Sequence, residues 1–228
     1  MEYQLYPEQK KQARTNIPSH PFFSVIITTY NRAGLLSRAL DSLISQTEKD
    51  WEAVVVDDGS ADNTYARIIP YLKLYPEIAL IRLIHSGKSF AKNTGLSAAN
   101  GRYITFLDSD DEFNPHHLES RKVILVQNPA VQFLYGGTKI LGSQYVPDRF
   151  NYRKLISLKD CVIGGTFIIE RNIALSLNGF RDLLIGSDAD LFNRAKAKNI
   201  NMMEVDQPTY VYHHETEDSV TNRLAANL

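Results

Sequence analysis

The sequence predicts an α/β fold, a single domain of Rossmann-like build in which a mostly parallel sheet is flanked by helices. Two observations carry that expectation. Short β-branched apolar runs recur through the first half, continuous in the way that strands buried on both faces require. Between them lie stretches with helical spacing or caps, and strands alternating with helices at this spacing build a right-handed, doubly covered sheet.

The elements follow in order. FFSVIITT (22–29) is the first strand, and AGLLSRALDSLISQ (33–46) places Leu36, Leu40, Leu43 and Ile44 on one helical face. WEAVVVDD (51–58) is the second strand. Asp62 then caps a helix running to Tyr75, where Pro76 fits a stop. IALIRLI (78–84) forms the third strand, SGKSFAKNTGLSAAN (86–100) a helix ending before Gly101, and RYITFLD (102–108) the fourth strand. After Pro115 the rhythm changes. A helix is expected over 116–127, strands over 131–137, 164–170 and 200–206, a hairpin or loop over 137–146, and a helix over 187–199. Residues 1–19 are a polar lead. The domain spans 20–228 and divides into a first half (20–115) and a second half (116–228).

Composition narrows the function. With 43% hydrophobic residues and a formal net charge of −1, the chain has no global field to hold nucleic acid, so an anionic ligand must be captured locally. The one cysteine, Cys161, rules out an internal disulfide and sits beside Val162 and Ile163, a setting for an inert thiol. No run is long enough to span a membrane, and no signal-peptide core opens the chain. The expectation is a cytoplasmic protein, peripheral at the inner membrane face if its substrates are there.

Acidic residues collect at the predicted strand ends: Asp57 and Asp58 after the second strand, and Asp108, Asp110 and Asp111 after the fourth. Ligands of open α/β sheets bind outside those carboxyl ends. Either pair alone is also what a turn or helix cap uses. Together, five carboxylates on one rim need a compensating cation, and an oxygen-rich set suits Mg²⁺ or Mn²⁺ carrying a nucleotide diphosphate.

SVIITTYNRAGLLSRALDSLISQT, then WEAVVVDDGSADNT, then FAKNTGLSAANGRYITFLDSDD resembles, in order, the family 2 glycosyltransferases, whose A-type fold binds a nucleotide sugar. The likeness is strong from Phe23 to Pro115 and weaker onward to His214, and it implies that 20–115 is the nucleotide-sugar-binding half and 116–228 the acceptor and catalytic half. It implies that Thr28 and Tyr30 lie beside the nucleobase, with Asp58 accepting a base N–H; Asp57 serves the turn amides. In the implied Asp-x-Asp signature Asp110 ligates the metal, Asp108 meets the ribose or the metal, and Asp111 supports either through water. Lys88 and Lys92, at the start of the third helix, stand where the family often has a basic residue near the donor; a solvated helix face is the alternative.

The likeness also implies a separate catalytic base. NGFRDLLIGSDADLFNRA (178–195) matches the family's Gly-Gly-Phe and Glu-Asp-x-Asp-Leu stretches, with Asp188 as base and Asp190 as the second aspartate. Ser187 replaces the usual Glu and Asn178 the first Gly, and Asp188 would equally suit an N-terminal cap. VYHHETEDSVTNR (211–223) resembles the family's late histidine segment, and His213 or His214 would reach the metal or diphosphate. The Gln-x-x-Arg-Trp signature of processive synthases is absent, Trp51 being the only tryptophan, so transfer of a single sugar is expected.

The whole reading is an inverting, metal-dependent transferase. It moves one sugar from a nucleotide donor, UDP by family analogy, to a glycan or lipid-linked acceptor in bacterial surface polysaccharide or lipopolysaccharide synthesis. An inactive nucleotide-sugar-binding protein is the alternative. An Asp-x-Asp phosphotransferase fits less well, since the motif follows the fourth strand here, and a dinucleotide oxidoreductase would need a Gly-x-Gly-x-x-Gly after the first.

Overall fold

This computed structural model describes residues 20–215. The predicted lead (1–19) and the end of the late histidine segment (216–223) lie outside the described residues.

Along the chain run β1 (Phe23–Thr29), α1 (Leu36–Ile44), β2 (Trp51–Asp57), α2 (Thr64–Leu74), β3 (Ile78–Arg82), α3 (Lys88–Ala98) and β4 (Tyr103–Phe106). Next come β5 (Glu112–Phe113), α4 (His117–Gln127), β6 (Phe133–Tyr135), β7 (Thr138–Leu141), β8 (Tyr145–Pro147) and β9 (Leu155–Ser157). The described chain closes with β10 (Ile168–Glu170), α5 (Arg171–Ser176), α6 (Ser187–Ala197), β11 (Met202–Glu204) and β12 (Tyr210–His213).

Seven strands form the central sheet in the order β11-β6-β10-β4-β1-β2-β3. β1 lies parallel to β2 and β4, and β2 to β3. β10 alone reverses, running antiparallel to β4 and β6, while β11 is parallel to β6. The expected mostly parallel sheet is therefore present, and the second half extends one edge of it. Strand parity explains the two covered faces. Val25, Ile27, Ala53 and Val55 pack with Leu36, Leu40 and Leu43 of α1, Ile68 of α2 and Leu118 and Leu125 of α4. On the other face Ile26 packs with Leu96 of α3, Ala174 of α5 and Leu191 of α6. Each fully buried Leu or Ile contributes roughly 1.5–3 kcal/mol.

Two expectations change. Residues 137–146, expected as a hairpin or loop, hold two short strands that do not pair with each other. β7 instead pairs in parallel with β12, which also pairs with β5, and β8 pairs with β9. The helix expected from 33 begins at Leu36, because the amides before it have other partners. Asn31 N–H donates to Ser60 Oγ, Arg32 N–H to Thr64 Oγ1 and Ala33 N–H to Asp62 Oδ2. These bonds tie the loop after β1 to the loop after β2, so both strand ends present one surface. Asp62 also accepts from Thr64 N–H at 2.9 Å, capping α2 from just outside its first turn.

Candidate active site

The rim at the carboxyl ends of β1, β2 and β4 is built by register. Thr29 faces Asp57 across β1 and β2, and Asp57 faces Arg82 across β2 and β3. That second pairing decides what Asp57 does: Arg82 Nε donates to Oδ2 and Ser60 N–H to Oδ1, both at 2.9 Å. Asp57 is therefore spent on the turn.

Asp58 is buried and organises the next loop. Ser86 N–H donates to its Oδ1 at 2.8 Å and Gly87 N–H to Oδ2 at 2.9 Å, with His85 Nδ1 2.8 Å from Oδ2. Gly87 has φ 98°, a conformation that favours glycine, and stands at the N-cap of α3. The same loop lays His85 against Tyr30, ring centroids 4.0 Å apart and 14° from parallel. Tyr30 is exposed, and half-buried Thr28 lies two residues before it. A flat, half-open aromatic surface thus borders a buried acceptor, which is what a nucleobase needs. His85 was missed from sequence; its only signal was its place between a strand and a helix opposite Asp58.

Beyond α3's first turn lies the second cluster. Lys92 is only 2% exposed, and its Nζ is 3.3 Å from Asp108 Oδ1 and 3.9 Å from Asp188 Oδ1. The Phe106 and Phe180 rings flank it at 5.5 and 5.1 Å. Lys92 Nζ and Asp188 Oδ1 are both buried without a hydrogen bond of their own, so the ion pairs to Lys92 are what compensate them. Lys88, half-exposed, reaches Asp108 Oδ2 at 3.4 Å. Burial pushes the Asp108 carboxyl up, but Lys88 and Lys92 outweigh it and hold it well below the usual carboxylate range. Asp108 in turn lifts the Lys88 ammonium above its ordinary range against the pull of burial.

The remaining aspartates part company. Burial, then the charge of Asp108, raises the Asp110 carboxyl, and Arg38 grips its backbone carbonyl. Asp111 is turned inward: Tyr210 O–H donates to Oδ2 at 2.5 Å and His213 N–H to Oδ1 at 2.8 Å. It latches β12 to the acidic loop, and burial followed by Asp110 raises it well above the usual range. The His213 ring lies between Glu215 Oε1 (2.7 Å from Nδ1) and Glu112 Oε1 (3.2 Å from Nε2). His214 Nδ1 is 2.7 Å from Ser143 O.

Asp188 lies in the first turn of α6. The N-cap is Gly186, which has no side chain, and the Asp188 carboxylate reaches outside its own helix. Gly164 N–H donates to its Oδ2 at 3.2 Å. Gly164 is needed there by proximity, since a Cβ would stand 2.6 Å from that oxygen. Asp190 faces away, paired with Arg194 Nε at 2.7 Å and Arg181 at 3.3 Å.

Among the described residues no group of three or more His, Cys, Asp or Glu is spaced to hold a metal by itself. The carboxylates Asp108 and Asp110, two residues apart, are nevertheless the oxygen donors a hard divalent ion takes, and a cation there would offset the burial and the Asp108 charge that raise the Asp110 carboxyl. Magnesium-type ions take one or two carboxylates and complete their shell with phosphate oxygens and water.

With this geometry in place, the likenesses to known proteins are informative. The family model described as Glycosyl transferase family 2 matches residues 24–167, more than half of the chain. The Escherichia coli UDP-Glc:alpha-D-GlcNAc-diphosphoundecaprenol beta-1,3-glucosyltransferase WfgD is 32% identical over 157 residues, covering 66% of this chain and 60% of its own. Staphylococcus aureus TarS 1-349 in complex with UDP-GlcNAc superposes with TM-score 0.71 at 23% identity, over 84% of this chain and 58% of its own. The mannosyltransferase PcManGT of Pyrobaculum calidifontis, in complex with GDP-Man and Mn²⁺, gives TM-score 0.67 at 21% identity, over 92% and 60%. At such identities the two structures speak for the fold. The chain spans no more than 60% of the length of any of the three.

Proposed function

The chain belongs to glycosyl transferase family 2, and from that premise we propose that it transfers a single sugar, with inversion, from a UDP-linked donor to an acceptor hydroxyl. The acceptor class we favour is a glycan or lipid-linked sugar in bacterial surface polysaccharide or lipopolysaccharide assembly. The relative WfgD, named for UDP-Glc and a diphosphoundecaprenol acceptor, supports both halves of that reading. The workplace is the cytoplasm, at the inner membrane face. No helix among the described residues is long and apolar enough to cross a membrane.

One observation carries the proposal: a buried ammonium, Lys92, stands between the acidic stretch that would hold the donor and the carboxylate that would act as base. Tyr30 and Asp58 offer the base a stacking face and an acceptor. Lys88 and Lys92 keep Asp108 ionised beside the diphosphate. Asp188, with Oδ2 held by Gly164 N–H and Oδ1 buried 3.9 Å from Lys92 Nζ, would take the proton of the attacking hydroxyl. Attack from the side opposite the nucleotide breaks the anomeric bond and inverts that carbon. Mn²⁺ or Mg²⁺, held through Asp110 with the diphosphate, would supply Lewis-acid stabilisation of the departing nucleotide. His213, already enclosed by two glutamates, is a further candidate for this ion, with His214 beside it.

Titration calorimetry of UDP, GDP and dTDP, each with and without Mn²⁺, tests the donor side. Tight binding of UDP, lost with EDTA and in Asp110→Ala, is expected; absence of binding to any of them overturns the proposal. Ser187, where a charged Glu is usual, favours a second reading as a nucleotide-sugar-binding protein. That reading expects the same titrations but no nucleotide release with any acceptor, and no difference between the parent and Asp188→Asn.

A further inference from the structure

Six of the thirteen large apolar side chains exposed among the described residues fall on two neighbouring loops. Tyr145, Phe150, Tyr152 and Leu155 belong to the β8–β9 hairpin, with Phe150 83% exposed at its tip, and Leu183 and Leu184 to the loop before α6. The loops touch: Arg149 lies across Gly186, its Cδ 2.8 Å from where a Cβ would stand, with its guanidinium 4.4 Å over the Phe150 ring. Gly186 is two residues from Asp188, so this apolar face adjoins the mouth of the candidate active site.

Charge identifies the occupant. Residues 145–160 carry Arg149, Arg153, Lys154 and Lys159 against Asp148 and Asp160, and the 181–186 loop adds Arg181 and Asp182, so the two loops together hold an excess of two cations in a chain whose net charge is −1. Arg153, Lys154 and Lys159 are exposed and make no ion pair among the described residues. Apolar side chains at a hairpin tip, ringed by free cations, match an interface with acyl chains below and anionic headgroups above.

We infer that the β8–β9 hairpin and the 181–186 loop form a docking surface for an anionic lipid bilayer. Phe150, Leu155 and Leu184 enter the acyl boundary while Arg153, Lys154 and Lys159 meet the headgroup phosphates. The inference rests on the proposed membrane-bound acceptor and adds how the chain would reach it: docking there turns the Asp188 mouth toward substrates in the headgroup layer.

Vesicle co-sedimentation of the full chain tests it. The chain pellets with phosphatidylglycerol-containing vesicles and stays in solution with phosphatidylcholine alone, and salt weakens the binding. Arg153→Gln with Lys154→Gln lowers vesicle affinity roughly thirtyfold, and Phe150→Ser with Leu184→Ser at least about tenfold. Both double variants keep the parental UDP affinity, which also reports that they are folded. Equal binding to neutral vesicles, no binding to anionic ones, or double variants that bind like the parent would each overturn the inference. So would a parental dimer in light scattering that the Phe150 and Leu184 changes dissolve, since the face would then belong to a second copy. Vesicle binding without any UDP binding upholds the docking surface and removes the transferase reading; the converse pattern does the opposite.

Discussion

Replacing Lys92 with methionine deletes one charge and nearly preserves side-chain volume, which makes it the cleanest perturbation of this site. At an effective dielectric constant of about 20, an ammonium 3.3 Å from Asp108 and 3.9 Å from Asp188 gains roughly 5 and 4 kcal/mol of Coulomb energy. Two effects reduce this. Burying an ammonium costs several kcal/mol, and both carboxylates keep some solvent, with side chains 22% and 26% exposed. Asp108 also retains Lys88 at 3.4 Å. The expected loss of stability is therefore about 3 kcal/mol, near the lower end for breaking a buried pair. Urea unfolding at neutral pH measures it, and the midpoint should fall with the slope unchanged. UDP titration on the same samples should show weaker binding, because Asp108 and Asp188 lose the ammonium that stands between them. A Lys92→Met variant as stable as the parent, with UDP affinity intact, would refute the idea that this ammonium joins the two acidic elements.

Two further predictions follow from close approaches elsewhere. Gly164→Ala sets a methyl against the Asp188 carboxylate, which must swing aside; turnover should drop about 100-fold while UDP binding is unchanged, and parental turnover in steady-state assays would argue that Asp188 is not poised by this contact. His117 is buried, stacked on Phe113 at 4.1 Å, and burial followed by the charge of Arg121 holds it well below its ordinary 6.5. The unfolded chain then binds the extra proton, so stability is full above about pH 6.5 and is lost progressively as pH falls from there toward roughly pH 5. His117→Phe should remove that part of the acid slope in paired melts at the two pH values, and an identical slope in the variant would contradict the assignment.

The resemblance carried by residues 24–47, 51–64 and 90–111 is met by the family match over residues 24–167, and the sheet with helices on both faces is as expected. These features were legible because they are local. Val25 to Ile27 and Ala53 to Val56 are continuous apolar runs whose burial on both faces follows from composition alone, and Leu36, Leu40 and Leu43 repeat at helical spacing. Boundaries were less legible. Nothing within residues 31–33 announces that their amides will be claimed by Ser60, Asp62 and Thr64 from another strand end.

The pairing of β7 with β12 rather than with β8 was equally hidden. It joins residues about seventy positions apart, and the hydrophobic pattern of either strand is compatible with many partners.

By itself the sequence determined the fold class, the family and the positions of the acidic stretches at strand ends, since periodicity, caps and motif spacing act over a few residues. Only the tertiary structure decided how five aspartates of the same chemistry divide their work. Cross-strand register hands Asp57 to Arg82, a left-handed glycine lets Asp58 hold the His85 loop against Tyr30, and burial places Lys92 between Asp108 and Asp188. β12 takes Asp111 for its latch, while burial and the charge of Asp108 raise the Asp110 carboxyl. A carboxylate's role depends on which charge and how much water lie within a few ångströms of it, and those neighbours come from segments the local pattern does not connect.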